Sequence, residues 1–346
     1  MNKVKRDPQK FETFELFSVL VEELGYSISD EDVVNKVCEK IKEKISDSAD
    51  NPIMLHGKRT EGLFSYTVRG LNNVKLIKQE DAGDAYTNLQ KDIKIPDFRI
   101  IQENNKQILV EVKNNNYDPK YDYKLKTKYV ESLKRYSNLI NIELYIAIYY
   151  RKLERFFLVH IDDFDKKNNE YVLSIKKAVV RNKFDELGDC KIATYSPLEL
   201  HLKVNGNKIE ETEEYTNFNV TVIGVSLKCK NIEINDETGK NIAYKLIWHG
   251  DWDDEKVNYI YDNSGDLTDI KLVYYPRGYD ETEANNFHVI TELSVLLIKS
   301  FNKKTTDNRK LKQLSYSGIP LDLNKVIPIN YTSNELPILR LHMSEK

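Results

Sequence analysis

Apolar positions at the start of the chain recur with helical spacing. Phe11, Phe14, Phe17, Leu20, Val21 and Leu24 fall at steps of three and four and stop at Gly25. This predicts an amphipathic helix ended by a residue free to take a left-handed cap. Val33, Val34, Val37, Ile41 and Ile45 repeat the pattern after Ser29, with Asp32 in capping-box position. A third helix is predicted over about 58–71. The period then shortens to that of strands at 74–79, 95–101 and 107–113. The polar segment 103–106 predicts a tight turn between the last two, hence a hairpin. Residues 124–140 return to helix, with Tyr129, Leu133, Tyr136 and Ile140 on one side, and 143–150 and 155–161 read as strands. A helix feeding a mixed sheet flanked by helices predicts an α/β (α+β) core.

Beyond about residue 165 strand-like runs dominate, at 171–180, 199–204, 219–227, 231–234, 244–248 and 270–275. A hairpin turn is predicted over 262–266, centred on Ser264 and Gly265, and one helix over 286–302. The charged stretch 163–169 is the expected boundary between residues 1–165, the helices plus the α/β core, and a β-rich domain over 166–346. The role of that second domain is open between recognition, regulation and oligomerisation. No internal repeat or low-complexity tract is visible.

Composition narrows the classes. The 346 residues are 40% hydrophobic and 31% charged, which supports a packed core and excludes collagenous or mostly disordered chains. Cys38, Cys190 and Cys229 form no CxxC pair, which fits a reducing cytoplasm. The polar start has no signal-peptide core, and the longest apolar run, 144–150, is too short to span a membrane. A net charge of −3 excludes a uniformly basic nucleic-acid coat. Charge is nevertheless segregated: residues 113–136 carry a surplus of bases and 233–255 a surplus of acids. The six histidines lack ligand spacing, so zinc is not expected, and no phosphate-binding GxxxxGK[ST] loop or serine or cysteine nucleophile motif exists.

The chemistry concentrates in the hairpin. Side chains alternate across a strand, so Glu111 and Lys113 share one face and Val112 takes the other. Asp97 lies opposite Val112 if the loop centres on Asn104 and Asn105, or opposite Glu111 if it is one residue tighter. Either register brings Asp97 within cross-strand or diagonal reach of Glu111 and Lys113. Two carboxylates and an ammonium in one place suit Mg²⁺ or Mn²⁺, which bind phosphate oxygens and acidify water.

Ile95-Pro96-Asp97, followed after a turn by Glu111-Val112-Lys113, resembles the PD-(D/E)xK, or restriction-endonuclease-like, nuclease superfamily over residues 58–160. The resemblance implies a Mg²⁺- or Mn²⁺-dependent endonuclease. It makes Asp97 and Glu111 metal ligands, the Val112 carbonyl a further ligand and Lys113 the catalytic lysine. It also implies a glutamate on the first core helix, for which Glu61 matches best. The pattern departs at Ser132, where RecB-type members carry a glutamine before the tyrosine that Tyr136 matches. Segment 11–26 resembles the first helix of Mrr-like restriction enzymes, so Glu12 or Glu15 rivals Glu61; two further helices before residue 74 favour Glu61.

Residues 113–136 interleave Lys120, Lys124, Lys128 and Arg135 with tyrosines directly behind the active strand, where phosphate contacts are expected. A second basic run, 299–312, reads as a helix end. The acidic cluster Asp251, Asp253, Asp254 and Glu255 reads as a solvated turn. The expected function is nucleic-acid hydrolysis, with DNA the leading substrate, in bacterial restriction, phage defence or repair. A homodimer and a protein partner for the β-rich domain stay open. The alternative is an inactive nuclease fold serving as a binding or sensing module.

Overall fold

The computed structural model describes residues 1, 13–49, 51–81, 86–211, 216–280, 282, 286–307 and 310–342. Helix α1 (Thr13–Glu23) packs Leu20 and Val21 against Val33 and Val37 of α2 (Val33–Ala49) in a small core of their own. Gly25 ends α1 in the left-handed region at φ +68°. Helix α2 begins later than a Ser29 cap would place it. Asp30 instead accepts the Ser27 N–H at 2.8 Å and closes a competing turn. Helix α3 (Pro52–Gly70) starts earlier than expected, because Asn51 caps it through the Ile53 and Met54 N–H groups. Ile53 and Met54 stay exposed, so no apolar stripe marks that first turn.

The central sheet contains β1 (Val74–Gln79), β2 (Phe98–Gln102), β3 (Gln107–Asn115), β5 (Glu143–Tyr150) and β6 (Arg155–His160), in the order β1-β2-β3-β5-β6. Its pairs are antiparallel except β3 with β5, so the sheet is mixed. The parallel pair is connected through β4 (Tyr123–Lys126) and α4 (Thr127–Ile140). Strand β5 is buried at all but its first residue, as expected of a central strand covered on both faces. On one face Ile108, Val110 and Val112 meet Leu63, Phe64 and Val68 of α3; on the other, Leu109 meets Val130 and Leu133 of α4. The fold is mixed α/β, a mixed central sheet flanked by helices with further β-rich sheets.

Strands β7 (Asp165–Lys167) and β8 (Glu170–Leu173) pair back onto β4. The expected strand 171–180 ends at Leu173, where Ser174 caps α5 (Ile175–Val180) through the Lys177 N–H. Then come β9 (Lys191–Thr194), the long hairpin β10 (Leu198–Glu211) and β11 (Thr216–Cys229), and β12 (Ile232–Glu233). The expected strand 244–248 lies inside α6 (Glu237–His249), whose buried Ile242, Ala243, Leu246 and Ile247 have helical spacing. Strands β13 (Trp252–Tyr261) and β14 (Leu267–Pro276) form the hairpin predicted at 262–266, with Gly265 at φ +85°. The expected helix 286–302 divides into β15 (His288–Glu292) and α7 (Leu293–Thr305).

Strands β12-β11-β10-β14-β13 form a second, antiparallel sheet. Helix α7 lies against α3 closely enough that a β-carbon on Gly70 would collide with Leu297. Apolar side chains from both sides of 163–169 share one core, Phe64 and Phe98 with Leu296 and Phe301. Among the described residues, no helix is long and apolar enough to cross a membrane.

Candidate active site

The β2–β3 hairpin takes the tighter of its two registers. Phe98 pairs with Val110 and Ile100 with Ile108, and the Gln102 N–H closes the loop on the Lys106 carbonyl at 2.9 Å. Asn105 supplies the left-handed residue at φ +69°. Continuing that ladder one step places Asp97 across from Glu111. Since Leu109 faces α4, alternation also turns Glu111 and Lys113 towards α4. Asp97 Oδ2 accepts the Val112 N–H at 2.7 Å.

Tyr129, in the first turn of α4, meets this group. Its hydroxyl donates to Glu111 Oε1, as does the Lys113 ammonium. Lys113 Nζ also lies 2.8 Å from the Tyr129 hydroxyl. The Tyr129 ring takes the Lys113 and Lys94 ammonium groups at 4.8 and 4.5 Å from its centre. From α3, Glu61 pairs with Lys58 at 2.6 Å, and the Glu61 charge reaches Asp97. The fold thus gathers Asp97, Glu111 and Lys113, with Glu61 beside them.

Glu111 is 4% exposed. Burial first, and the Glu111 charge second, push the Asp97 carboxyl up to about 7; the Val112 N–H and Lys113 oppose that rise. Burial alone would lower the Lys113 ammonium, but Glu111 and Asp97 outweigh it and hold Lys113 above its usual range. Burial and then Glu111 raise the Tyr129 phenol. Among the described residues no three His, Cys, Asp or Glu side chains close into a ready-made metal shell. The donor set still fits a hard divalent cation. Its oxygens are carboxylate, and the repulsion between half-buried Asp97 and buried Glu111 is what such a cation relieves.

A cleft of about 680 Å³ opens beside Tyr129, between segment 87–94 and the start of α4. Lys91, Lys94, Lys126 and Lys128 line it. Of the basic residues expected to meet phosphate, Lys128 is on this lining, 3.9 Å from Asp92. Arg135 lies behind the lining, where its Nε donates to the Asp92 carbonyl at 2.7 Å and anchors the cleft wall. Lys124 pairs with Glu170 at 3.0 Å across β4 and β8, and Lys120 lies over the Tyr121 ring. Tyr136 donates to Glu80 at 2.7 Å, away from Glu111.

Glu12 lies outside the described residues, and of Glu15 only the helical backbone is described. Asp254 is described by its backbone alone, while Arg155 and Arg277 hold Asp251 at 3.2 and 3.4 Å, so this part of the acidic cluster is ion-paired. In the second basic run, Lys299 donates to the Gly250 carbonyl at 2.6 Å, and Arg309 lies outside the described residues. Lys94 is a site neighbour that the sequence pattern did not mark. Tyr129, read there as one of the tyrosines interleaved with the basic residues, turns out to hold Glu111 and Lys113. Tyr129 belongs to the apolar stripe of a helix, and Lys94 precedes the Ile-Pro-Asp triplet without a periodic partner.

No family model matches the chain, and no curated protein does. Among solved structures, the chain is similar to the Holliday junction resolvase Hjc of the archaeal hyperthermophile Archaeoglobus fulgidus. The identity is 12% over 34% of this chain and 88% of that one, with a TM-score of 0.25.

Proposed function

We propose that this chain is a metal-dependent nuclease that hydrolyses phosphodiester bonds of nucleic acid, with DNA the first substrate to test. The observation that carries this reading is the convergence of Asp97, Glu111 and Lys113 at one end of the central sheet, next to a lysine-lined cleft. Asp97, Glu111 and the Val112 carbonyl are the groups that would hold Mg²⁺ or Mn²⁺. When bound, the ion supplies Lewis acidity towards a phosphate oxygen and acidifies an attacking water.

The chain's own residues have separable roles. Lys113 and Tyr129 are both raised, so both keep their protons at neutral pH and act as donors, not as bases. Lys113 Nζ stabilises charge developing on the phosphate and orients the water. Tyr129 holds Glu111 and Lys113 in place, and Glu61 adds a carboxylate at the site's α3 side. The test is cleavage of plasmid or oligonucleotide with Mg²⁺ or Mn²⁺ by wild type, Asp97→Ala and Lys113→Ala. Only wild type is expected to cut; equal cutting by all three removes the assigned site.

One observation favours a second reading, an inactive nuclease fold that binds without cutting. Glu111 Oε1 is already held by both Tyr129 and Lys113. Calorimetric titration with Mn²⁺ separates the two: binding that disappears in Glu111→Ala supports the nuclease, and no binding in wild type supports the alternative.

A further inference from the structure

The cleft beside Tyr129 combines two properties that a duplex does not need together. Its rim is basic: Lys91, Lys94, Lys126 and Lys128 face a lining in which Asp92 is the acid among the described residues. Its wall also carries Leu89 and Ile93, with Leu89 46% exposed. Tyr86, next to the lining residue Thr87, is 93% exposed. A duplex keeps its bases stacked inside and presents chiefly phosphate and groove edges, so it offers few base faces to an exposed tyrosine and an apolar wall. An unpaired strand presents base faces and phosphates together, and lysine rims with aromatic and apolar platforms match that pattern. The wall is also built to stay in place, since the Lys94 N–H binds the Ser132 carbonyl at 3.1 Å and Arg135 holds the Asp92 carbonyl.

We propose that this cleft seats a single, unpaired nucleic-acid strand and leads it to the Asp97–Glu111 pair. Lys91, Lys94, Lys126 and Lys128 contact its phosphates, and Tyr86 and Leu89 contact its bases. The proposal deepens the nuclease reading and rests on it only for the fate of the strand. The same cleft chemistry serves DNA and RNA, so the test carries both.

The experiment measures fluorescence anisotropy of the full-length Asp97→Asn chain in EDTA. The probes are a labelled oligo-dT strand, an oligo-U strand of equal length and a mixed-sequence duplex. The oligo-dT or the oligo-U strand is expected to bind about tenfold tighter than the duplex, and the tighter of the two says whether the cleft prefers the DNA or the RNA strand. Lys91→Ala/Lys126→Ala is expected to lower the slope of log affinity against log salt by about 0.7 per lysine. Tyr86→Ala is expected to weaken strand binding about fivefold or more and to leave duplex binding unchanged. All three residues are exposed, and circular dichroism checks that the variants fold. Equal affinity for duplex and strand, or lysine variants that bind as wild type does, overturns the proposal. A strand that binds through these residues but is never cut by wild type with Mn²⁺ sinks the nuclease reading alone. Cutting that proceeds with affinity indifferent to these residues sinks the cleft alone.

Discussion

Asp97, half-buried, and Asp189, buried, are two carboxyls pushed to about the same place, near 7, with burial the largest cause in each. Their company differs. Asp189, 6% exposed, accepts the Cys190 and Ser294 N–H groups on one oxygen, each at 2.9 Å. It satisfies the open start of α7, where Glu292 makes no side-chain cap of its own. Asp97 accepts one backbone N–H but faces Glu111 and Lys113, and through them Tyr129 and the cleft. A raised carboxyl is therefore not a functional mark by itself. Asp189 also touches a cavity, of about 310 Å³, and feels the Glu292 charge. What sets the Asp97 candidate site apart is the hydrogen-bonded cluster of Glu111, Lys113 and Tyr129 that it faces.

The comparison is tested first by Asp97→Asn, which keeps an acceptor for the Val112 N–H. It is expected to lose Mn²⁺-dependent cleavage by about a hundredfold or more without a fall in melting temperature. A melting loss as large as the activity loss would make Asp97 structural, like Asp189.

Asp189→Asn sharpens the other side. The folded carboxyl holds its proton more tightly than the unfolded one, whose ordinary value is 3.8. Its contribution is therefore fully present below that value and is lost as pH rises through about 7. The loss has a slope of about 1.4 kcal/mol per pH unit. The amide oxygen can keep both hydrogen bonds while removing the proton. Urea midpoints taken from pH 5 to 8 should lose that downward component in the variant, with cleavage unchanged. Cleavage lost alongside Asp97→Asn would erase the distinction.

The smallest effect expected is that of Tyr129→Phe. Removing the hydroxyl that donates to Glu111 and accepts from Lys113 should lower kcat about tenfold and leave KM unchanged. A variant that changes KM alone would place Tyr129 in strand binding and not in positioning Glu111.

Much of the site was legible because it sits on one short-range element. The turn at 103–106 and the alternation of β3 are local, so the meeting of Asp97, Glu111 and Lys113 follows from a hairpin. The exact pairing was not legible, since two loop lengths satisfy the same polar segment; Asn105 in its left-handed conformation selects the tighter one. The run at 244–248 misled because a short, mostly apolar stretch fits a strand or about one turn of a helix, and only packing of α6 decides. The Arg135 contact was not legible for a related reason: a helical basic residue reads as a surface charge until a neighbouring carbonyl appears beside it.

By itself the sequence determined the strand–turn–strand that carries Asp97, Glu111 and Lys113, the helical pattern that follows, and the segregation of its charges. These rest on periods of two to four residues and on turn chemistry. The tertiary structure decided that Tyr129 and Lys94 join the site, that Glu61 stands near Asp97, and that four lysines line one cleft. It also decided that α3 and α7 share a core across the charged stretch near residue 165. Such contacts join residues far apart in the chain, and burial and packing between elements, not local periodicity, set them.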